Sequence, residues 1–277
     1  ESESSLTQVN LLAESLTLSG NSITTRQPVA RMQRMEDVVT TDTPDAVHEH
    51  LVADFIVPNS HYEENKSYPF KLKIHGGAVQ TFSRPNFLRS AIVVASNEAC
   101  TGGVGVLRAV TELGGPSLLS AVEAKPTAAH STFGTIRCLA GDAIIVGPGE
   151  SGEEFEESEE YGQVKTPYII FAVAPWSEAE NEDHSLLFLR SAYFSALEKA
   201  KEAKLEAVAF SLLGANKRGG VHWKKAVRTG FDTIARYPGY QELKEVHVYA
   251  FASREVEELI MASKEYDFLE KTADTTS

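Results

Sequence analysis

Apolar and polar residues first fall into a regular period at Pro69. Phe70, Leu72 and Ile74 alternate with Lys71, Lys73 and His75, which predicts a strand with one face on a core and one face in water. Ala91-Ile92-Val93-Val94-Ala95 is a continuous apolar run, the pattern of a strand covered on both faces. The segment from Val106 to Leu113 reads as a helix stopped by Gly114-Gly115-Pro116, with a second helical piece over Ser117 to Ala124. Strands are expected over Ala143 to Val146, Tyr168 to Val173, Glu206 to Leu212 and Glu245 to Phe251.

Asp183 to Ala203 is the clearest helix, because Leu189, Tyr193, Ala196, Leu197 and Ala200 share one face with Lys and Glu opposite. Trp223, Val227 and Ile234 mark another amphipathic helix, and Arg254 to Ser263 a closing one. Strands that alternate with helices build a largely parallel sheet with helices on both faces. Such sheets bind ligands beyond the carboxyl ends of their strands.

Residues 1–68 lack a sustained period and read as an N-terminal extension, partly packed or mobile, with short helices over 31–39 and 46–56. The domain proper spans 69–265, and 266–277 is a tail that frays from Ala273 onward. Within the domain, residues 149–161 form an acidic loop. Seven of the eleven residues from Glu150 to Glu160 are glutamate, which suits a solvated segment.

Composition narrows the function classes. The net charge of −13 leaves no clustered Lys and Arg for a phosphate backbone, so nucleic acid is disfavoured as a partner. No apolar run reaches the length of a membrane span and no signal peptide is visible, which points to a cytoplasmic or nuclear protein without a membrane partner. Two cysteines, Cys100 and Cys138, make no disulfide framework and read as free thiols. No Ser-His-Asp or metal-ligand spacing is present, so no metal or cofactor is expected.

Two strands run straight into glycine-bearing loops. The first is Asn97-Glu98-Ala99-Cys100-Thr101-Gly102-Gly103-Val104-Gly105-Val106, ahead of a helix whose first N–H groups lack intrahelical partners. The second is Leu212-Leu213-Gly214-Ala215-Asn216-Lys217-Arg218-Gly219-Gly220, in which Asn216 tolerates left-handed geometry and Lys217 and Arg218 add positive charge. Backbone amides at such turns bind phosphate without basic side chains. Two of them could clamp opposite sides of one diphosphate.

These residues resemble the macro domain family. Ala91 to Asn97 is similar to the family's Ala-Ile-Val-Asn-Ala-Ala-Asn, and Gly102 to Val110 to its Gly-Gly-Gly-Gly-Val-Asp-Gly-Ala-Ile. Cys138 to Ala143 resembles Cys-x-x-Gly-Glu-Ala, Ala174-Pro175-Trp176 resembles Gly-Pro-Trp, and Phe210 to Gly219 resembles the family's second loop. The match covers roughly residues 70–262. It implies a three-layer α/β/α sandwich around a mixed, largely parallel central sheet, and ADP-ribose, free or on a protein, as ligand. The diphosphate would lie between the loops, with the distal ribose beside Asn97 and adenine against Phe251 or Tyr249.

Departures from the family pattern are as informative. Gly77 stands where the family's adenine-recognising Asp is expected, and Val94 replaces the first Asn of the strand. Leu107 replaces the Asp that many hydrolytic members use, and leucine accepts no proton. The expected function is therefore ADP-ribose binding without efficient hydrolysis. The candidate ligand set is Asn97, Gly102, Gly103, Val104, Gly105, Val106, Leu213, Gly214, Ala215, Asn216, Lys217, Arg218, Gly219 and Phe251. The alternatives are an ADP-ribosyl hydrolase using other groups, with Asn97, Asp142, His75, Glu98 and His222 as candidates, or an interaction module without ligand.

Overall fold

The computed structural model describes residues 50–57, 68–83, 89–131, 134–148, 161–175, 182–215, 221–266 and 269–270. The strands are β1 (His50–Val57), β2 (Phe70–Gly76), β3 (Ser90–Ser96), β4 (Ala129–Ser131), β5 (Gly134–Ile136), β6 (Ala143–Val146), β7 (Tyr168–Val173), β8 (Ala207–Ser211), β9 (Glu245–Ala250) and β10 (Leu269–Glu270). The helices are α1 (Val106–Glu123), α2 (Glu182–Glu202), α3 (Trp223–Ala235) and α4 (Ser253–Ser263).

Eight strands form one sheet in the order β10-β1-β2-β9-β8-β3-β7-β6, and β4 and β5 make a separate hairpin. The five central strands run parallel. Antiparallel pairing is confined to β6 on one edge and to β1 and β10 on the other. The sheet is thus mixed and largely parallel.

Side-chain alternation along the central strands fills two cores. Ala91 and Val93 of β3 face α2, α3 and α4 in the larger core, with Leu189, Tyr193, Phe231 and Leu259. Ile92 and Val94 face α1 on the other side, with Leu107, Val110, Leu118 and Val122. A strand buried on both faces has no polar phase to alternate with, which is why β3, β7 and β8 appear in the sequence as unbroken apolar runs. Helices on both sides of the sheet make three layers.

Local chemistry explains the helix ends. Glu182 and Asp183 lie in the first turn of α2 and Lys199 and Lys201 in its last, each sign opposing the helix dipole. The path of α1 is broken at Gly115, at φ 61 and ψ −157, followed by Pro116. The two helical pieces expected on either side of Gly114-Gly115-Pro116 are therefore both present.

Two expectations are corrected. The helix read over 46–56 is, in its described part, β1, antiparallel to β2, with Phe55 and Val57 in the larger core. Leu51 and Phe55 suit a helical spacing, but Val52, Ile56 and Val57 suit a strand, and an open sheet edge decides between them. The wet face of β2 is wet only in part, since the Lys71 side chain is 42% exposed and Lys73 is not. Lys73 is buried and its Nζ lies 2.8 Å from Glu245 of β9, while His75 Nε2 lies 2.8 Å from His247 Nδ1. At the other end of the chain, residues 269–270 pair with β1. The helix read over 31–39, the acidic run 150–160 and residues 271–277 lie outside the described residues.

Candidate functional site

Strands β3 and β8 are immediate neighbours, so the two glycine loops leave the same edge of the sheet side by side. The last registered pair between them is Val93 with Phe210. One step further the Ser211 hydroxyl takes over, accepting from the Ala95 N–H at 3.0 Å and donating to the Val93 carbonyl at 3.0 Å. The strands are stitched where their backbone ladder ends.

The first loop is shaped by its own backbone. Cys100 N–H donates to the Asn97 carbonyl at 3.0 Å, and the Asn97 side-chain amide donates to the Thr101 carbonyl at 2.9 Å. Asn97 thus closes the turn from inside. Glu98 is exposed, and its carbonyl accepts the N–H groups of Arg137 and Cys138 at 2.8 and 3.1 Å, which fixes the loop to the segment after β5. Beyond Thr101 the chain turns outward. Val104 is 63% exposed, and a Cβ placed on Gly102 or Gly105 would meet nothing within 4 Å. Gly103 is different, with φ +85 and a hypothetical Cβ only 3.2 Å from Leu107 Cδ2 and 3.4 Å from Asn97 Nδ2. Glycine is favoured there by its left-handed conformation, and the space for a side chain is tight.

No side chain caps α1, whose N-cap is Gly105 and whose first turn carries no acidic residue. Its first N–H groups therefore face the loop with the positive end of the helix dipole behind them. Val106 is half-buried and Leu107 is buried in the core below. Leu107 is therefore a packing position.

The second loop begins on a rigid base. Leu213 is fully buried and donates its N–H to the Tyr193 hydroxyl of α2 at 2.8 Å. Burial pushes the Tyr193 phenol well above the ordinary tyrosine range, so it stays a neutral acceptor. Gly230 of α3 makes room for this ring, since a Cβ there would lie 2.4 Å from Tyr193 Cζ. Gly214 has φ +68 and its Cβ would press on Leu189 at 3.1 Å; Ala215 is buried. Asn216, Lys217, Arg218 and Gly219 lie outside the described residues.

Tyr193→Phe removes the acceptor and leaves the Leu213 N–H buried without its partner. The expected cost is about 1–3 kcal/mol in denaturant unfolding, with little change in the m-value. A cost below half a kcal/mol would show that the loop relaxes to find another partner.

The other candidates separate clearly. Phe251 follows β9 and is 50% exposed; its N–H and that of Ala252 both donate to Glu255 at 3.1 Å, which holds the turn into α4. Tyr249 is instead buried and stacked on His75, with ring centroids 4.6 Å apart. Phe251, not Tyr249, is the aromatic presented at the strand end. His75 is engaged with His247 and Tyr249. His222 is exposed and stacks on Trp223, and its N–H donates to Glu182 at 3.3 Å. Asp142 is an exposed turn residue whose carbonyl accepts from Val173 at 3.0 Å. Gly77, with φ +117, donates to the Ala250 carbonyl at 2.9 Å. Sequence reasoning missed Ser211 and the anchoring role of Tyr193. A serine ending an apolar strand was the only available signal for the first.

Among the described residues no group of His, Cys, Asp and Glu is placed to hold a metal, and no helix is long and apolar enough to cross a membrane.

The Macro domain family model matches residues 93–229, a span holding both loops. A macro domain-containing protein of Caldanaerobacter subterraneus subsp. tengcongensis is 29% identical over 182 residues, covering 65% of this chain and 90% of that protein. A macro domain-containing protein of Listeria monocytogenes is 32% identical over 120 residues, covering 43% of this chain and 56% of the relative. Among solved structures, the Oceanobacillus iheyensis macrodomain with ADP aligns with a TM-score of 0.55 at 22% identity, over 78% of this chain and 97% of that one. The Trypanosoma brucei macrodomain in complex with ADP-ribose aligns with a TM-score of 0.50 at 21% identity, over 68% of this chain and 67% of that one.

Proposed function

We propose, from the premise that this chain belongs to the macro domain family as a divergent member, that it binds ADP-ribose or an ADP-ribose-containing group between its two glycine loops without hydrolysing it efficiently. The observation that carries the reading is the adjacency of β3 and β8, which brings two glycine turns to one edge of the sheet. Amides of the first loop and the start of α1 supply donors for one side of a diphosphate, and the turn at Gly214 supplies the other. The Oceanobacillus macrodomain with ADP and the Trypanosoma macrodomain in complex with ADP-ribose support the same chemistry.

The non-hydrolytic part of the reading rests on Leu107, which is 3% exposed and packs in the core beneath α1. A side chain with no lone pair neither orients water nor takes its proton. Phe251 offers an exposed ring for a base to stack on. The modified protein that would present the ADP-ribosyl group is the proposed partner.

Calorimetry with ADP-ribose, ADP and AMP tests this. ADP-ribose is expected to bind best, with ADP weaker and AMP weakest, because AMP lacks the second phosphate. Incubation with ADP-ribosylated protein is expected to release no ADP-ribose above the uncatalysed rate. Efficient release that is lost in Asn97→Ala would overturn the binder reading in favour of a hydrolase. Equal weakness of all three ligands would overturn diphosphate recognition itself.

A further inference from the structure

The two cysteines of the chain meet beneath the first loop. Cys100 closes the Asn97 turn in a left-handed conformation, with φ 59, one of two non-glycine residues with positive φ among those described. Cys138 follows β5, on a segment whose Arg137 and Cys138 N–H groups both bond the Glu98 carbonyl. That fork brings Cys138 alongside the Glu98 to Cys100 stretch, where its thiol donates to the Leu139 carbonyl at 3.7 Å and lies close enough to Cys100 for each to bias the other's ionisation. Both are buried in the α1-side core with Leu107 and Val110.

The pair is electrostatically unequal. The Cys138 thiol, with help from Ser96 and the Arg137 guanidinium, outweighs burial and holds Cys100 below the ordinary thiol range. Cys138 is driven the other way by Cys100, by burial, and by the carboxylates of Asp142 and Glu98. Independently, Arg137 Nε is buried and finds no hydrogen-bond partner among the described residues. A buried guanidinium edge without a partner is costly beside neutral groups and is relieved beside a thiolate.

We propose that Cys100 and Cys138 form a redox modification site, in which a hydroperoxide converts the dithiol to an intramolecular disulfide that staples the first glycine loop to the segment after β5. The Cys100 thiolate attacks one peroxide oxygen, so that an S–O bond forms and the O–O bond breaks. Hydroxide leaves and is protonated to water, giving a Cys100 sulfenic acid. The Cys138 sulfur then attacks the sulfenic sulfur. The S–S bond forms, the S–O bond breaks, and the departing hydroxide takes the Cys138 proton as a second water. Two thiols and one hydrogen peroxide become one disulfide and two waters. Cys100 is the attacking group and Cys138 the resolving one.

The test uses the reduced full chain under native conditions. Hydrogen peroxide is titrated in, thiols are counted after denaturation, and the intact protein is weighed. Both thiols should disappear together with loss of two hydrogen masses, without cross-linking between chains, and dithiothreitol should restore them. Cys138→Ser should stop at a Cys100 sulfenic acid that a cyclic 1,3-diketone captures, and Cys100→Ser should give no such adduct. Retention of both thiols in the folded protein, at peroxide levels that oxidise the unfolded chain, would overturn the proposal. So would oxygen addition without a disulfide, or disulfides only between chains. The wild-type measurement decides the matter even if a serine variant fails to fold.

Discussion

Gly103→Glu is expected to lower the affinity for ADP-ribose by at least about 100-fold, equivalent to about 3 kcal/mol. Three effects operate, the first on stability and the other two on affinity. The residue sits at φ +85, where an L side chain costs about 1–2 kcal/mol, and this part appears as lost stability in the free protein. Its Cβ would lie 3.2 Å from Leu107 Cδ2 and 3.4 Å from Asn97 Nδ2, so the Leu107 and Asn97 side chains must give by a few tenths of an ångström. The third effect is the carboxylate itself, placed beside the start of α1 where an anionic diphosphate is proposed to lie. Two like charges about 4 Å apart repel by about 4 kcal/mol in a partly solvated site. Gly103→Ala separates these contributions, since it keeps the strain and the contact but adds no charge; a loss of about 10-fold is expected there. Calorimetry at low salt, beside a melting curve for each variant, reads both. Unchanged affinity in a folded Gly103→Glu protein would remove the first loop from the site.

The glutamate variant can be designed from sequence because the loop's chemistry is local. Three glycines between a doubly buried strand and an amphipathic helix announce a turn wherever they occur, and β3, β7 and β8 announce themselves by leaving no polar phase. What a linear pattern does not carry is which strands become neighbours. The placement of β8 beside β3 makes two separate turns into one candidate cleft, and only the folded sheet contains it. The same limit hid Tyr193. Its ring fits the apolar stripe of α2, and nothing in that stripe says that the hydroxyl reaches the Leu213 N–H on another element. Ser211 is likewise an ordinary strand-ending serine until the ladder between β3 and β8 is seen to stop beneath it. Asn216 to Gly219, the charged half of the second loop, were readable as a sequence motif but lie outside the described residues. Alternation along β2 correctly separated its two faces, yet alternation reports sidedness and not what covers a side. Lys71, Lys73 and His75 read as solvated because lysine is seldom buried without a partner, and the partner comes from β9, far along the chain.

That partner makes Glu245→Ala the substitution with the largest expected cost to stability. Glu245 is 6% exposed and Lys73 9%. The carboxylate lies 2.8 Å from the Lys73 ammonium and 3.0 Å from His247 Nε2, with Lys71 at 3.7 Å. The carboxylate accepts from His247 Nε2–H, and His247 Nδ1 lies 2.8 Å from His75 Nε2, so one anion orients two rings along the same face of the sheet. Deleting it takes the carboxylate from a buried ammonium and from a buried ring N–H together. The expected loss is about 3–5 kcal/mol, seen as a fall in melting temperature of about 10 °C. The pair itself need not be strongly stabilising, since desolvation offsets much of its attraction. Lys73→Met combined with Glu245→Leu should therefore be more stable than Glu245→Ala alone, because no buried charge is left unpaired. A double variant no better than the single, or a single variant within about 1 kcal/mol of the parent, would show that water reaches this face and that Lys73 is solvated after all.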